Sequence, residues 1–169
     1  VAEWSIERVD DADANTLADV RTLFAEYHAW LGEVVSSARL AAEIASLPGP
    51  YARPAGRLFI ARDPKGAPLG CIGVRPHEGA RCEVKRLYVR EVARGSGLGR
   101  ALAQTALEAA SELGYAEVLV STLPDTMPLA AAMYERLGFK ATEPFFDHSY
   151  VNEDAGMAYL RLVLSEDAQ

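Results

Sequence analysis

A chain of 169 residues, half of them hydrophobic, has the length of one ordinary domain and enough apolar mass to form a core without staples or metals. Its formal charge of −7 argues against a general affinity for nucleic acid or anionic membrane, both of which need clustered Lys and Arg, and mildly favours a cationic partner. Two cysteines make no disulfide framework, no CxxC or histidine cluster offers metal-ligand spacing, and no apolar run approaches the ~20 residues of a membrane span, so a cytoplasmic, metal-free, unanchored protein is expected.

Residues 3–9 alternate as a short first strand. The acidic run from Asp10 to Asp13 supplies N-caps for a helix whose stripe is Leu17, Val20, Phe24, Tyr27 and Leu31, a 3-4-3-4 spacing that puts all five on one face. A second, Ala-rich helix over 37–47 stops at Pro48, Gly49 and Pro50 and is a candidate substrate-facing element. Residues 57–62 and 69–75 are hairpin partners about the turn Asp63-Pro64-Lys65-Gly66. After a turn at 76–80, residues 81–89 form a fourth strand, rich in side chains that pack on a pleat. A register that pairs Arg75 with Glu78 also sets Cys71 opposite Cys82, and two small buried thiols are expected there rather than a cytosolic bridge.

A helix over 98–113 ends at Gly114, and 116–121 is a short buried strand. A helix over 127–137 closes at Gly138, and 157–164 alternates as a terminal strand. This order predicts a mixed α/β sheet in which the two strands joined by the long helix run parallel and the preceding hairpin is antiparallel. No repeat or linker divides the chain, so residues 1–169 read as a single domain.

Arg94-Gly95-Ser96-Gly97-Leu98-Gly99-Arg100 lies between a strong strand and a strong helix, where backbone alone builds an anion site. Glycines let the main chain approach closely, and the unpaired amides and dipole of the helix start favour a pyrophosphate. The glycines fall as G-x-G-x-G rather than the dinucleotide G-x-G-x-x-G, and no Lys follows the last of them as a Walker loop demands. A glycine-rich turn without ligand is the remaining plain reading.

In its R-x-x-G-x-G spacing this segment resembles the GNAT superfamily of acetyl-CoA-dependent N-acetyltransferases, with Arg94, Gly97 and Gly99 on the motif. Met133-Tyr134-Glu135-Arg136-Leu137-Gly138-Phe139 resembles that family's [LY]-Y-x-x-x-G-F segment, at the expected distance. The resemblance covers most of residues 58–164 and implies a mixed, mostly antiparallel sheet of about seven strands, the fourth and fifth parallel, flanked by about four helices. It implies that the loop amides, including those of Gly95, Ser96, Leu98 and Arg100, bind the coenzyme A pyrophosphate. It further implies that the backbone of Leu87, Tyr88 and Val89 pairs with the pantetheine amides like an added strand, and that Tyr134 protonates the leaving thiolate. Many members carry an Asn after the fifth strand that contacts pantetheine; Ser121-Thr122-Leu123-Pro124-Asp125 has none.

Acetyl transfer to an amine requires that the amine lose a proton. Glu83, eleven residues before Arg94 in the fourth strand, is the candidate base; the competing reading pairs it with Lys85 or Arg81 on the sheet surface. Tyr134 also reads as a core residue among Leu129, Met133 and Leu137. His28, His77 and His148 are isolated and read as loop or surface residues, while the stretch from Pro144 to Tyr150, with Tyr27 and Trp30, is a candidate wall for the acceptor. Neither cysteine has a partner that marks an activated nucleophile, which points to direct transfer in a ternary complex. The expected partner is a small-molecule or peptide amine, with no nucleic acid, membrane or metal, and a homodimer is compatible. A larger acyl donor stays open, and the alternative from another class is a catalytically silent coenzyme A-binding module.

Overall fold

The computed structural model describes residues 3–32, 37–146 and 156–164. Strand β1 (Ser5–Arg8) leads into helix α1 (Ala14–Leu31). Asp13 caps this helix, its carboxylate accepting from the amides of Asn15 at 3.0 Å and Thr16 at 3.1 Å. Leu17, Val20, Phe24, Tyr27 and Leu31 are all buried, joined by Leu23. Helix α2 (Ser37–Ser46) packs beside α1, and Arg21 of α1 donates to the carbonyls of Ile44 and Leu47 where α2 ends.

Strands β2 (Arg57–Arg62), β3 (Pro68–Pro76) and β4 (Arg81–Val89) form a meander. Helix α3 (Leu98–Glu112), strand β5 (Glu117–Thr122), helix α4 (Pro128–Arg136) and strands β6 (Lys140–Ala141) and β7 (Ala158–Val163) complete the order. Among the described residues the strands make one seven-stranded sheet, ordered β1-β2-β3-β4-β5-β7-β6. Among these described strands only β4 and β5 are parallel, because α3 carries the chain back along one face before β5 begins. The two-residue β6 has no period to read, and the sequence pattern does not locate it.

Helix α3 covers one face, with Leu98, Leu102, Ala106 and Ala110 against Ile72, Val74, Cys82, Val84, Val118 and Val120. Helix α1 covers the other, with Val20, Leu23 and Phe24 against Leu58, Ile60 and Cys71. The β4–β5 ladder is short. Arg81 pairs with Glu117, Cys82 with Val118 and Glu83 with Leu119, after which β4 keeps a strand partner on β3 alone. The two parallel strands therefore part like a wedge from Val84 onward.

Within the wedge, β4 carries a bulge. Its register to β3 shifts between Cys71 and Gly73, and Arg86 sits at a φ of +62°. One extra residue resets the alternation. Val84, Leu87 and Val89 join the core under α3, whereas Tyr88 packs toward α1 and alternation before the bulge directs Glu83 and Lys85 to that same side.

The cysteine register expected from sequence is corrected here: Cys71 lies opposite Tyr88 and Cys82 opposite Pro76. The turn after β3 is longer than the pairing of Arg75 with Glu78 supposes, and Arg75 faces Glu83 instead. The thiols occupy separate cores on the two faces of the sheet. Both are free and buried, and burial pushes the Cys82 thiol up to about 12 and Cys71 further still. Native protein at pH 8 is therefore expected to give no rapid reaction with a disulfide reagent, and two thiols after denaturation. Fast labelling of the native fold would contradict the packing.

Candidate active site

The loop that enters α3 is held open by its own hydrogen bonds. Gly95 and Gly97 adopt φ of +78° and +84°, a region that L side chains seldom visit. Ala101 donates to the carbonyl of Gly97 at 3.1 Å as the helix closes its first turn, so the amides of Leu98, Gly99 and Arg100 stand ahead of the ladder without intrahelical acceptors. The amides of Arg94 and Ser96 are engaged instead, with Glu91 at 3.1 Å and Ala93 at 3.4 Å, and the Ser96 hydroxyl also donates to Ala93 at 2.6 Å. Arg94 and Ser96 thus shape the cradle, and the other five residues of the segment offer it.

This cradle opens on a cleft of about 440 Å³, also lined by Leu87, Tyr88, Val89, Tyr27 and Trp30. That volume accommodates a sizeable ligand arm. Arg94 donates to the carbonyl of Val89 at 3.0 Å and stacks over Trp30 at 5.9 Å. Arg90, one residue past β4, forks onto Glu26 of α1 at 2.6 and 2.9 Å, and these bonds hold the Glu26 carboxyl below its ordinary value. The end of β4 is therefore fixed to α1.

Toward the sheet the cleft gives way to an inner pocket of about 60 Å³ within the wedge. Its wall includes Val84, Lys85, Arg86, Leu87, Thr122 and Tyr134. Tyr134 is 5% exposed, packs edge-on to Phe139 at 5.3 Å, and has a phenol that burial pushes up, so that it stays protonated at neutral pH. Thr122, which sequence reasoning did not single out beyond noting the missing Asn, buries its Oγ1 without a hydrogen-bond partner. A buried hydroxyl left unpaired marks a place where an incoming polar atom is needed.

Glu83 does not border the inner pocket with Tyr134. It is buried at 5% exposure on the opposite face of β4, with Lys85 Nζ at 3.7 Å and His77 Nε2 at 3.8 Å from its carboxylate oxygens. Lys85 belongs to both places, since it also lines the pocket. Burial, and next the neighbouring Arg86 charge, bring its ammonium down to about 8. Arg86 itself donates to Glu43 of α2 at 2.6 Å, and Tyr51 donates to the same carboxylate at 2.7 Å. Burial alone raises the Glu43 carboxyl, but the charge and hydrogen bonds of Arg86 outweigh it and leave the group lowered.

His77, expected at the surface, turns inward: Nε2 donates to the carbonyl of Phe145 at 3.0 Å and the ring meets Phe145 edge-on, while Nδ1 is buried without a partner. No local signal marks it, because the contact depends on a segment 68 residues away. Phe145 and Phe146 pack on Tyr159, and Phe146 lies 5.7 Å below the Lys85 ammonium. Tyr27 and Trp30 are not in that group: Tyr27 lines both the inner pocket and the glycine-loop cleft, and Trp30 lines the cleft, so the aromatics expected to form one wall are divided between places. His148 and residues 147–150 of that stretch lie outside the described residues.

The family described as the acetyltransferase (GNAT) domain matches residues 54–141. An uncharacterized N-acetyltransferase of Schizosaccharomyces pombe is 36% identical over 151 residues, spanning 89% of this chain and 90% of that protein. N-acetyltransferase 8 of Homo sapiens is 29% identical over 63% of this chain, which spans only 49% of that protein. Among solved structures, an acetyltransferase of the GNAT family from Staphylococcus aureus superposes with a TM-score of 0.78 at 13% identity, over 96% of this chain and all of that one. The NatC complex bound to Gag peptide and CoA contains a chain that superposes at 0.70 and 22% identity, covering 96% and 99%.

Proposed function

Because the chain belongs to the GNAT acetyltransferases, we propose that it transfers the acetyl group of acetyl-CoA to an amine of a small molecule or peptide by direct attack in a ternary complex. The observation that carries this reading is the wedge between β4 and β5, continuous with the amide cradle at the start of α3. In this reading the pyrophosphate sits against the amides of Gly95, Gly97, Leu98, Gly99 and Arg100. The backbone of Leu87, Tyr88 and Val89 takes the pantetheine amides along the free edge of β4. The thioester then lies in the inner pocket, with Tyr134 placed to give its proton to the departing sulfur and Glu83, across β4, to relieve the amine of its own.

In this reading Thr122, the last residue of β5 in the segment that lacks the family's Asn, donates its hydroxyl to a carbonyl of the bound arm. Thr122→Val keeps the shape and removes the hydroxyl. The KM for acetyl-CoA is expected to rise about fivefold to tenfold, the worth of one hydrogen bond, while the empty protein melts no lower than wild type because an unpaired buried hydroxyl has gone. An unchanged KM places Thr122 outside the donor site.

The test of the whole reading is thiol release from acetyl-CoA across a panel of amines, alongside thermal shift with coenzyme A. Amine-dependent release supports transfer. Stabilisation by coenzyme A without release from any amine makes the protein a silent binding module instead.

A further inference from the structure

The acceptor side of the wedge carries more positive charge than its ion pairs use. Arg75, Glu83 and Lys85 share the α1-facing side of β3 and β4, Arg75 standing opposite Glu83 in the register. Arg86 and Glu43 satisfy one another at 2.6 Å, and Glu83 lies 3.7 Å from Lys85. Arg75 has no ion pair with any described carboxylate, and its Nε is buried without a hydrogen-bond partner. Three cations thus face two carboxylates in a half-buried cluster within a chain whose net charge is −7. Arg75 is also among the charges that hold Lys85 down.

Arg75 is half-buried and leaves a buried Nε–H unpaired, which is costly, and an incoming anion would satisfy it while balancing the surplus charge. Its planar fork suits a carboxylate bonded side-on. Lys85 links the cluster to the inner pocket, so an anion held at Arg75 lies roughly two strand positions, about 7 Å, from the wall of the pocket where transfer takes place. A spacing that short matches a compact molecule with both groups. We infer that the acceptor is an amine bearing its own carboxylate, of amino-acid type, whose carboxylate binds Arg75 while Lys85 and Glu83 flank its amine. This rests on the transfer reading of the same site and names its substrate class, against the cationic partner that net charge suggests.

The experiment compares free amino acids with their C-terminal amides as acceptors, by thiol release from acetyl-CoA, in wild type, Arg75→Met and Arg75→Lys. The expected result is a kcat/KM about 30-fold higher for the carboxylate form of each pair. In Arg75→Met that preference collapses toward one through a KM raised about 30-fold, the effect of truncating one partner of a buried charge pair, and Arg75→Lys restores part of it. A wild-type preference for the amides, or an Arg75→Met defect equal for both members of each pair, overturns the inference and leaves the transfer reading standing. If no amine releases thiol, the transfer reading falls, and calorimetry with N-acetyl amino acids decides the subsite alone. Binding lost in Arg75→Met supports it, and no binding to wild type overturns it.

Discussion

Gly97→Asp is expected to lower coenzyme A affinity at least about 30-fold. Two unit charges 4 Å apart repel by about 4 kcal/mol at an effective dielectric near 20, and solvent at an exposed loop reduces this to roughly 2 kcal/mol, which is about that factor. Nothing lies within 4 Å of a Cβ built at Gly97, so no protein atom blocks the new side chain, and it projects into space that the ligand needs. The φ of +84° adds strain of its own. Gly97→Asn separates the two contributions, since it has nearly the same shape, tolerates positive φ about as well and carries no charge. Calorimetry should place the Asn variant between wild type and Asp; an Asp variant that binds like wild type removes the pyrophosphate from this loop.

The second large effect concerns Tyr134 and Glu83, which lie on opposite faces of β4 and are expected to leave different kinetic signatures. Tyr134→Phe keeps the packing against Phe139 and deletes the phenol, so turnover should drop on the order of 10² with little change in acetyl-CoA affinity. Glu83→Gln keeps the shape and removes the base. Its defect should be greatest for amines of high pKa and should shrink as pH rises, because more of the amine is then already unprotonated. Glu83→Gln also takes away the charge that holds up the Lys85 ammonium, which should titrate below about 8 in the variant. If both variants turn over like wild type with intact circular dichroism, the roles assigned to them are refuted and the coenzyme site alone remains.

Much of this molecule is legible in its sequence because its elements carry strong local patterns. The stripe from Leu17 to Leu31, an N-cap within the run from Asp10 to Asp13 and the bounds of β2 and β4 follow from spacing and capping chemistry alone. The glycine loop is legible for the same reason, since a positive φ leaves a residue type behind it. What sequence does not show is what distance in the chain brings together. The bulge at Arg86 shifts the register by one residue with no glycine or proline to announce it, and the length of the turn after β3 decides that Arg75 meets Glu83. His77 turns inward only because Phe145 is there, and the isolated threonine of the missing-Asn segment becomes notable only once its Oγ1 is seen buried and unpaired.

Along a β-strand successive amides point to alternate sides, so between Val84 and Val89 some face the ladder of β3 and others face the gap left by β5. Inside a sheet, this is a row of groups without the strand partner that a neighbour would normally supply. Amide hydrogen exchange in the empty protein should register it as protection that rises and falls along β4, interrupted at the bulge, while β2 stays evenly slow. A ligand that pairs with that edge would level the pattern, and each newly slowed amide would identify one hydrogen bond of the bound arm.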